Sequence, residues 1–266
     1  MQKPPTETAW VHAKVEQTEE GLALNLVVQS VDGRPILQVD GMRIRRLKAE
    51  SPIGIGGPEE WLYELQWHRQ TAARPGLSSV SEQVNWLVFA DQSEHGAAVV
   101  AALRQRGKRC VEVKPGRQFE RLDVERYQID PTDRQCYLRL LEEAFAGVQG
   151  SKAILHLWSL DVLPAEAPSR DELEQSQRTG CRSALNLVQA MARCSWRDIP
   201  RLYLVTRGSQ KVTTTDRSIN LAQSPLWGLG NAINIEHPEL SCHRIDLSAS
   251  LTANETERLV DELGTE

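Results

Sequence analysis

From Trp61 onward, short apolar runs alternate with amphipathic stretches, and this alternation restricts the fold more than any other feature of the chain. The runs Leu62–Trp67, Trp86–Ala90, Cys110–Val113, Ala153–Trp158, Leu202–Thr206 and Cys242–Leu247 read as strands. Runs this apolar suit parallel strands covered on both faces. The stretches between them carry helix signals. Asp130 precedes Pro131, an N-cap before a first-turn proline, and Tyr137, Leu140, Leu141, Ala144, Phe145 and Val148 mark one face. Ser169-x-x-Glu172 is a capping box, and Cys181, Ala184, Leu185, Val188 and Met191 continue that helix. Gly107 closes the helix that starts near Glu94. The expectation is an α/β protein with a doubly wound, Rossmann-like parallel sheet.

The first fifty residues read differently. Leu22, Leu24 and Leu26 alternate with Ala23 and Asn25, a strand pattern, and Asp32-Gly33 follows as a hairpin turn. Leu37 and Val39 share one face of the next strand. After Gly41 the apolar residues are Met42 and Ile44, a slip of one, which predicts a bulge at that glycine. The result is a short antiparallel β meander. Arg43, Arg45, Arg46 and Lys48 read as a solvated edge strand, since edge charges discourage strand addition. Ser51 to Pro58 is rich in glycine and proline and reads as a linker.

Composition excludes several classes. With 36 acidic and 31 basic residues the formal charge is −5, which argues against a duplex-coating protein and any nucleic-acid partner. No run approaches the roughly 18 apolar residues of a membrane helix, and the polar stretch Met1–Ala9 is no secretory signal. Five cysteines without a CxxC pair point to reduced thiols in the cytoplasm and to no structural metal.

A dinucleotide site needs glycines straight after the first central strand, so that backbone amides at a helix N-terminus can approach the pyrophosphate. Here Trp86–Ala90 runs into Asp91-Gln92-Ser93-Glu94-His95-Gly96, with one glycine and two carboxylates where phosphates would lie. Like charge at that point costs anion binding rather than supporting it. Gly54, Gly56 and Gly57 lie in the linker. Gly228 and Gly230 fall in a helical stretch, where close packing against a neighbour explains them. Tyr63, Tyr127, Tyr137 and Tyr203 are followed four residues on by Trp67, Pro131, Leu141 and Arg207, so no reductase Tyr-x-x-x-Lys or Tyr-x-x-x-Asn is present. There is no G-x-S-x-G elbow and no HExxH. His156, with Asp161 nearby, reads as a buried strand histidine or half of a catalytic pair. His237, beside Glu236, reads as a helix-terminal histidine with a structural partner, because adjacent helical side chains do not face each other.

The segment from Ser224 to Leu240 (SPLWGLGNAINIEHPEL) resembles a signature of modular type I polyketide synthases, in the structural, cofactor-free half of their ketoreductase domain. Further stretches match the same half in the same order. They are Leu62 to Trp67, Trp86 to Asp91, Leu155 to Asp161 with His156 and Trp158, Val205 to Gln210, and Arg244 to Leu247 with Asp246. Within the first segment Trp227, Gly228, Gly230, Glu236, His237 and Pro238 carry the likeness. Trp10 to Ala13 and Val39 to Arg46 resemble the C-terminal strands of a preceding dehydratase, a hot-dog fold. His12 does not match that family's catalytic motif.

The resemblance implies three regions: 1–49 as a dehydratase tail, 50–60 as a linker and 61–266 as a structural subdomain that is a degenerate Rossmann-like (pseudo-Rossmann) sheet. It implies a chain without catalytic, cofactor-binding or metal-binding residues of its own. NADPH would be held by a separate catalytic half, which is the expected partner. Neighbouring dehydratase and enoylreductase domains, and a transient acyl carrier protein, complete the implied set. Two other readings stay open: an independent α/β enzyme using His156 or His237, and a split scaffold subunit acting in trans.

Overall fold

A computed structural model of the protein describes residues 9–18, 21–45, 67–68, 84–162, 168–213, 219–250 and 252–264. The expected linker and all but the last residue of the expected strand Leu62–Trp67 lie outside the described residues. The chain divides into two compact units, Met1–Leu65 and Gln66–Glu266.

The described residues of the first unit form a three-stranded antiparallel sheet of β1 (Ala9–Thr18), β2 (Gly21–Ser30) and β3 (Pro35–Arg45), in that order. A turn with Gly33 N–H bonded to Ser30 O at 2.9 Å joins β2 to β3, as Asp32-Gly33 predicts. The register places Val11, Val28 and Leu37 in one row across the strands, then Ala13, Leu26 and Val39, then Val15, Leu24 and Met42. Residues paired across a ladder share a face, so these nine apolar residues form one side of the sheet. The slip of one after Val39 is the predicted bulge: Val39 pairs Leu26 and Met42 pairs Leu24, leaving two β3 residues opposite Asn25. Gly41 has φ +71°, a left-handed angle that strains a side-chain-bearing residue, and its N–H donates to Asn25 Oδ1 at 2.6 Å.

Among its described residues the second unit holds a seven-stranded sheet built from β4 (Asn85–Phe89), β5 (Arg109–Pro115), β6 (Glu120–Arg121), β7 (Arg126–Ile129), β8 (Lys152–His156), β9 (Arg201–Arg207) and β10 (His243–Leu247). Its order is β10-β9-β8-β4-β5-β7-β6, parallel except for β6. Leaving out β6, this is the dinucleotide-fold order with β4 at the centre and the switch point between β4 and β8. The expected doubly wound α/β fold is therefore present, with a separate antiparallel sheet before it. Helices α1 (Glu94–Gln105) and α6 (Glu255–Glu262) close one core with Trp86, Val88, Leu155 and Val205. Helices α2 (Arg134–Ala144), α4 (Ser183–Met191) and α5 (Pro225–Glu236) close the other with Leu87, Phe89, Ile154 and Leu204. Alternate residues of each strand thus feed opposite cores.

Several sequence expectations shift. The helix expected to be capped by Asp130 begins one turn later. Asp130 Oδ1 accepts from Thr132 N–H and Oγ1 at 2.7 and 2.8 Å in a tight turn, so Asp133 caps α2 instead. The strand expected to reach Trp158 ends at His156, and Trp158–Asp161 is a 3₁₀ turn. β6 and β7 were not among the expected strands. The capping box at Ser169 opens α3 (Arg170–Gln177) as expected, but a π-helical turn, Arg178–Arg182, separates it from α4. Within α4 the buried stripe is Ala184, Leu187, Val188 and Met191, so Leu187 is buried and Leu185, expected inside, lies off the stripe and is 43% exposed.

Candidate functional site

Ligands of open α/β sheets bind beyond the carboxyl ends of the strands. At the central strand this position belongs to Asp91. Its carboxylate is fully buried, with Oδ2 accepting from Ser93 Oγ and Oδ1 without a hydrogen-bond partner among the described residues. Ser93 caps α1 by accepting from His95 N–H at 3.1 Å. A Cβ on Gly96 would lie 2.9 Å from Asp91 N and run into the Asp91 carboxylate. The single glycine of this loop therefore makes room for the chain's own anion. The positive end of α1, where a pyrophosphate would sit, faces an internal carboxylate. These residues do not fit a dinucleotide.

The neighbouring groups reinforce that charge. Asp161 Oδ1 accepts from Gln92 N–H at 2.6 Å and Oδ2 has no partner among the described residues. Burial raises its pKa, Asp91 adds to the rise, and the Gln92 N–H opposes it. Asp161 is thus engaged away from His156, and the His–Asp pair considered from sequence does not form. His95 lies 3.8 Å from Glu255, which is itself held by Arg207; burial lowers the His95 pKa while Asp91 and Glu255 pull the other way.

His156 stands opposite Phe89 in the β4–β8 register, and their rings stack with centroids 5.5 Å apart. Trp158 packs on both rings and its indole N–H donates to Val113 O at 3.3 Å. His156 Nε2 bonds Ser183 Oγ at 2.8 Å, and Ser183 Oγ bonds Tyr137 Oη at 2.8 Å. Tyr137 Oη also reaches Pro131 O at 3.1 Å, and a carbonyl only accepts. Tyr137 O–H donates to Ser183 Oγ, the His156 tautomer sets the direction of the Ser183–His156 bond, and His156 Nδ1 has no hydrogen-bond partner among the described residues. Full burial holds the His156 pKa down at about 3, so the ring is neutral. The sequence identified the histidine; its serine partner, 27 residues away on the far side of the π turn, was not foreseen.

A second group of signature residues converges at the β9–β10 end. The register sets Asp246 opposite Thr206. Asp246 Oδ1 accepts from Thr206 Oγ1 at 2.7 Å and from Ser209 N–H and Oγ at 3.0 Å, while Oδ2 accepts from Gln210 N–H at 3.0 Å. The Trp227 indole N–H donates to Thr206 Oγ1 at 2.8 Å. Trp67 meets the Trp227 ring edge-on at 5.7 Å, and Arg244 lies over the same ring at 5.2 Å. Gly230 explains itself by contact, since a Cβ there would stand 2.8 Å from Arg244 Cγ. Gly228 does not: no atom of the described residues lies within 4 Å of its Cβ position, so the close packing expected for it is not found among them. His237 ends α5 and pairs with Glu239 at 3.1 Å, not with the exposed Glu236, and Pro238 opens a 3₁₀ turn. The five cysteines are free, and burial raises all five pKa values, to about 12 for Cys110 and Cys242. Among the described residues no cluster of histidines, cysteines and carboxylates has metal-ligand grouping. No described helix is long and apolar enough to cross a membrane.

The family model described as β-ketoacyl synthase-like, N-terminal, matches residues 84–266. The chain belongs to that family. The match begins with the seven-stranded unit and includes nothing of the three-stranded one. Relatives of this family member are polyketide synthases. It is 32% identical over 155 residues to polyketide synthase GfsA of Streptomyces halstedii, covering 58% of the chain and 2% of the relative. It is 30% identical over 221 residues to the pikromycin polyketide synthase component PikAII of Streptomyces venezuelae, covering 80% of the chain and 5% of the relative. The chain thus corresponds to a small segment of these synthases. Its fold is shared with a structure described as the adenylation, ketoreductase and pseudo Asub domains of a keto acid-selecting NRPS module. That likeness has a TM-score of 0.64 at 20% identity and covers 76% of the chain and 16% of the other.

Proposed function

We propose that residues 61–266 are the non-catalytic structural subdomain of a polyketide synthase ketoreductase. In this reading they stabilise and orient a separate NADPH-binding half during β-keto reduction of acyl-carrier-bound intermediates. Residues 1–49 are then the C-terminal strands of the dehydratase that precedes it. The observation that carries the reading is the buried Asp91 carboxylate against Gly96 at the start of α1. A phosphate brought there would meet like charge in a closed space. The chain therefore takes no dinucleotide at its switch point and has no hydride to transfer. The docking face for the catalytic half is the layer of α4 and α5, where Leu185 is 43% and Ile235 81% exposed.

The enzyme reading finds no support at its two histidines. His156 is sealed in the core, and His237 is spent on Glu239. The test is reconstitution. The chain is mixed with the separately produced catalytic half, and assembly is followed by light scattering and NADPH oxidation with a β-ketoacyl thioester. A one-to-one complex is expected, weakened at least tenfold by Ile235→Asp, with no turnover by the chain alone. NADPH oxidation by the purified chain would overturn the reading.

A further inference from the structure

The carboxyl edge holds a cavity of about 500 Å³ on the β5–β7 side of the switch point. Its lining includes Gln92 after β4, Arg117 after β5, Asp130 and Thr132 after β7, and Arg178 and Thr179 at the α3–α4 junction. The volume is in the range of pockets that take small molecules, about 300–1,000 Å³.

Both walls are fixed from behind. On one side the Pro131 carbonyl receives Tyr137 O–H and Asn186 Nδ2, each at 3.1 Å. On the other, Ser176 Oγ and Gln177 Nε2 donate to Ala222 O at 2.6 and 3.3 Å, directly before the π turn that carries Arg178 and Thr179. Turns of that kind recur at functional sites. The charges on the rim are not matched in the same way. Arg117 and Arg178 are exposed, and neither side chain has a hydrogen bond or ion pair among the described residues. Elsewhere Arg104 reaches Glu125 at 3.0 Å, and Arg139 reaches Glu143 at 2.8 Å. The rim carboxylate, Asp130, uses Oδ1 within its own turn, and its Oδ2 accepts no hydrogen bond among the described residues.

We propose that this cavity binds a small phosphomonoester that also carries hydroxyl groups, of the sugar phosphate class. Arg117 and Arg178 receive the phosphate, because guanidinium forks match its oxygens. Asp130 Oδ2 accepts from a hydroxyl of the same molecule. The inference is separate from the scaffold reading, in which neither arginine has a part, so either one stands if the other fails.

The experiment titrates the full chain with ribose 5-phosphate, following backbone amides by NMR. Ribose and inorganic phosphate are titrated in parallel. Saturable shifts at Arg117, Thr132 and Thr179 are expected with ribose 5-phosphate, and weaker ones at the same amides with inorganic phosphate. The pair Arg117→Gln and Arg178→Gln should weaken binding at least tenfold. Arg117→Gln alone, in an exposed loop, should weaken it several-fold if the double variant folds poorly. Arg197→Gln, on a different cavity, should leave it unchanged. No saturable shift up to about 10 mM, equal binding of ribose, or full binding by Arg117→Gln would overturn the proposal.

Discussion

In the three-stranded sheet Val11, Val15, Leu37 and Met42 share one face and remain 44% to 61% exposed. In the seven-stranded sheet Leu87, Val88 and Phe89 are consecutive, face opposite ways and are all at 0%. Both regions obey the period-two rule of a strand. They differ in what lies above the pleat. Helices cover both faces of the larger sheet, so the apolar residues of its central strands β4 and β8 are removed from water. The smaller sheet has its register and its bulge in place while its apolar face remains open. Strand pattern and turn chemistry specify the register, and burial needs a second layer on the pleat.

The contrast can be broken by substitution, and the largest effect belongs to the closed core. Phe89→Ala removes a ring that stacks on Tyr137 and His156 and meets Trp158 edge-on. It should cost about 3–5 kcal/mol in urea unfolding of the second unit. Protonation of His156 comes next. Its pKa falls from 6.5 to about 3 on folding, so below pH 6.5 the unfolded chain binds a proton that the folded chain refuses. Stability should therefore be highest above pH 6.5 and decline by up to roughly 4 kcal/mol towards pH 3. His95, also lowered, acts in the same direction. His156→Gln should flatten the slope of Tm against pH; an unchanged slope would exclude this residue as its source.

Asp246→Ala strips the acceptor from two backbone N–H groups and two hydroxyls, and a loss of about 2–3 kcal/mol is expected. Gly41→Val forces a β-branched side chain to φ +71°, which should cost about 1–2 kcal/mol, visible as faster amide exchange in β2 and β3 alone. Smallest of all, Val15→Thr on the open face should stay within about 0.5 kcal/mol. If Val15→Thr cost as much as Phe89→Ala, the open face would be a core after all. Hydrogen exchange sharpens the same point: β8 and β9 amides should outlast those of β2 by orders of magnitude.

Much of this could be read from residue order. The alternation after Trp61 led to the parallel sheet, and the one-residue slip after Val39 led to the bulge. β7 escaped because it is four residues long, with Tyr127 and Ile129 inward between Arg126 and Gln128; two apolar positions give no periodicity. Leu185 faces out because Ala184, Val188 and Met191 fit a stripe through Leu187 as well as one through Leu185, and only the packing chooses between them. The acidic loop at Asp91 was legible as a poor phosphate site. That its carboxylate would be wholly buried against Gly96 was not, because that contact depends on how α1 leaves the strand. The Asp246–Thr206 pairing likewise needs the β9–β10 register, which joins residues 40 apart.

The bulge at Gly41 has a consequence for aligning this chain with others. It absorbs one residue and returns Met42 to the row of Leu24 and Val15. A homologous strand one residue shorter between Val39 and Met42 would present the same side chains on the same side, without the glycine. A single-position gap at that point records a change in backbone path and no change in which surface is oily. An ungapped alignment through it would exchange the two faces for the rest of the strand.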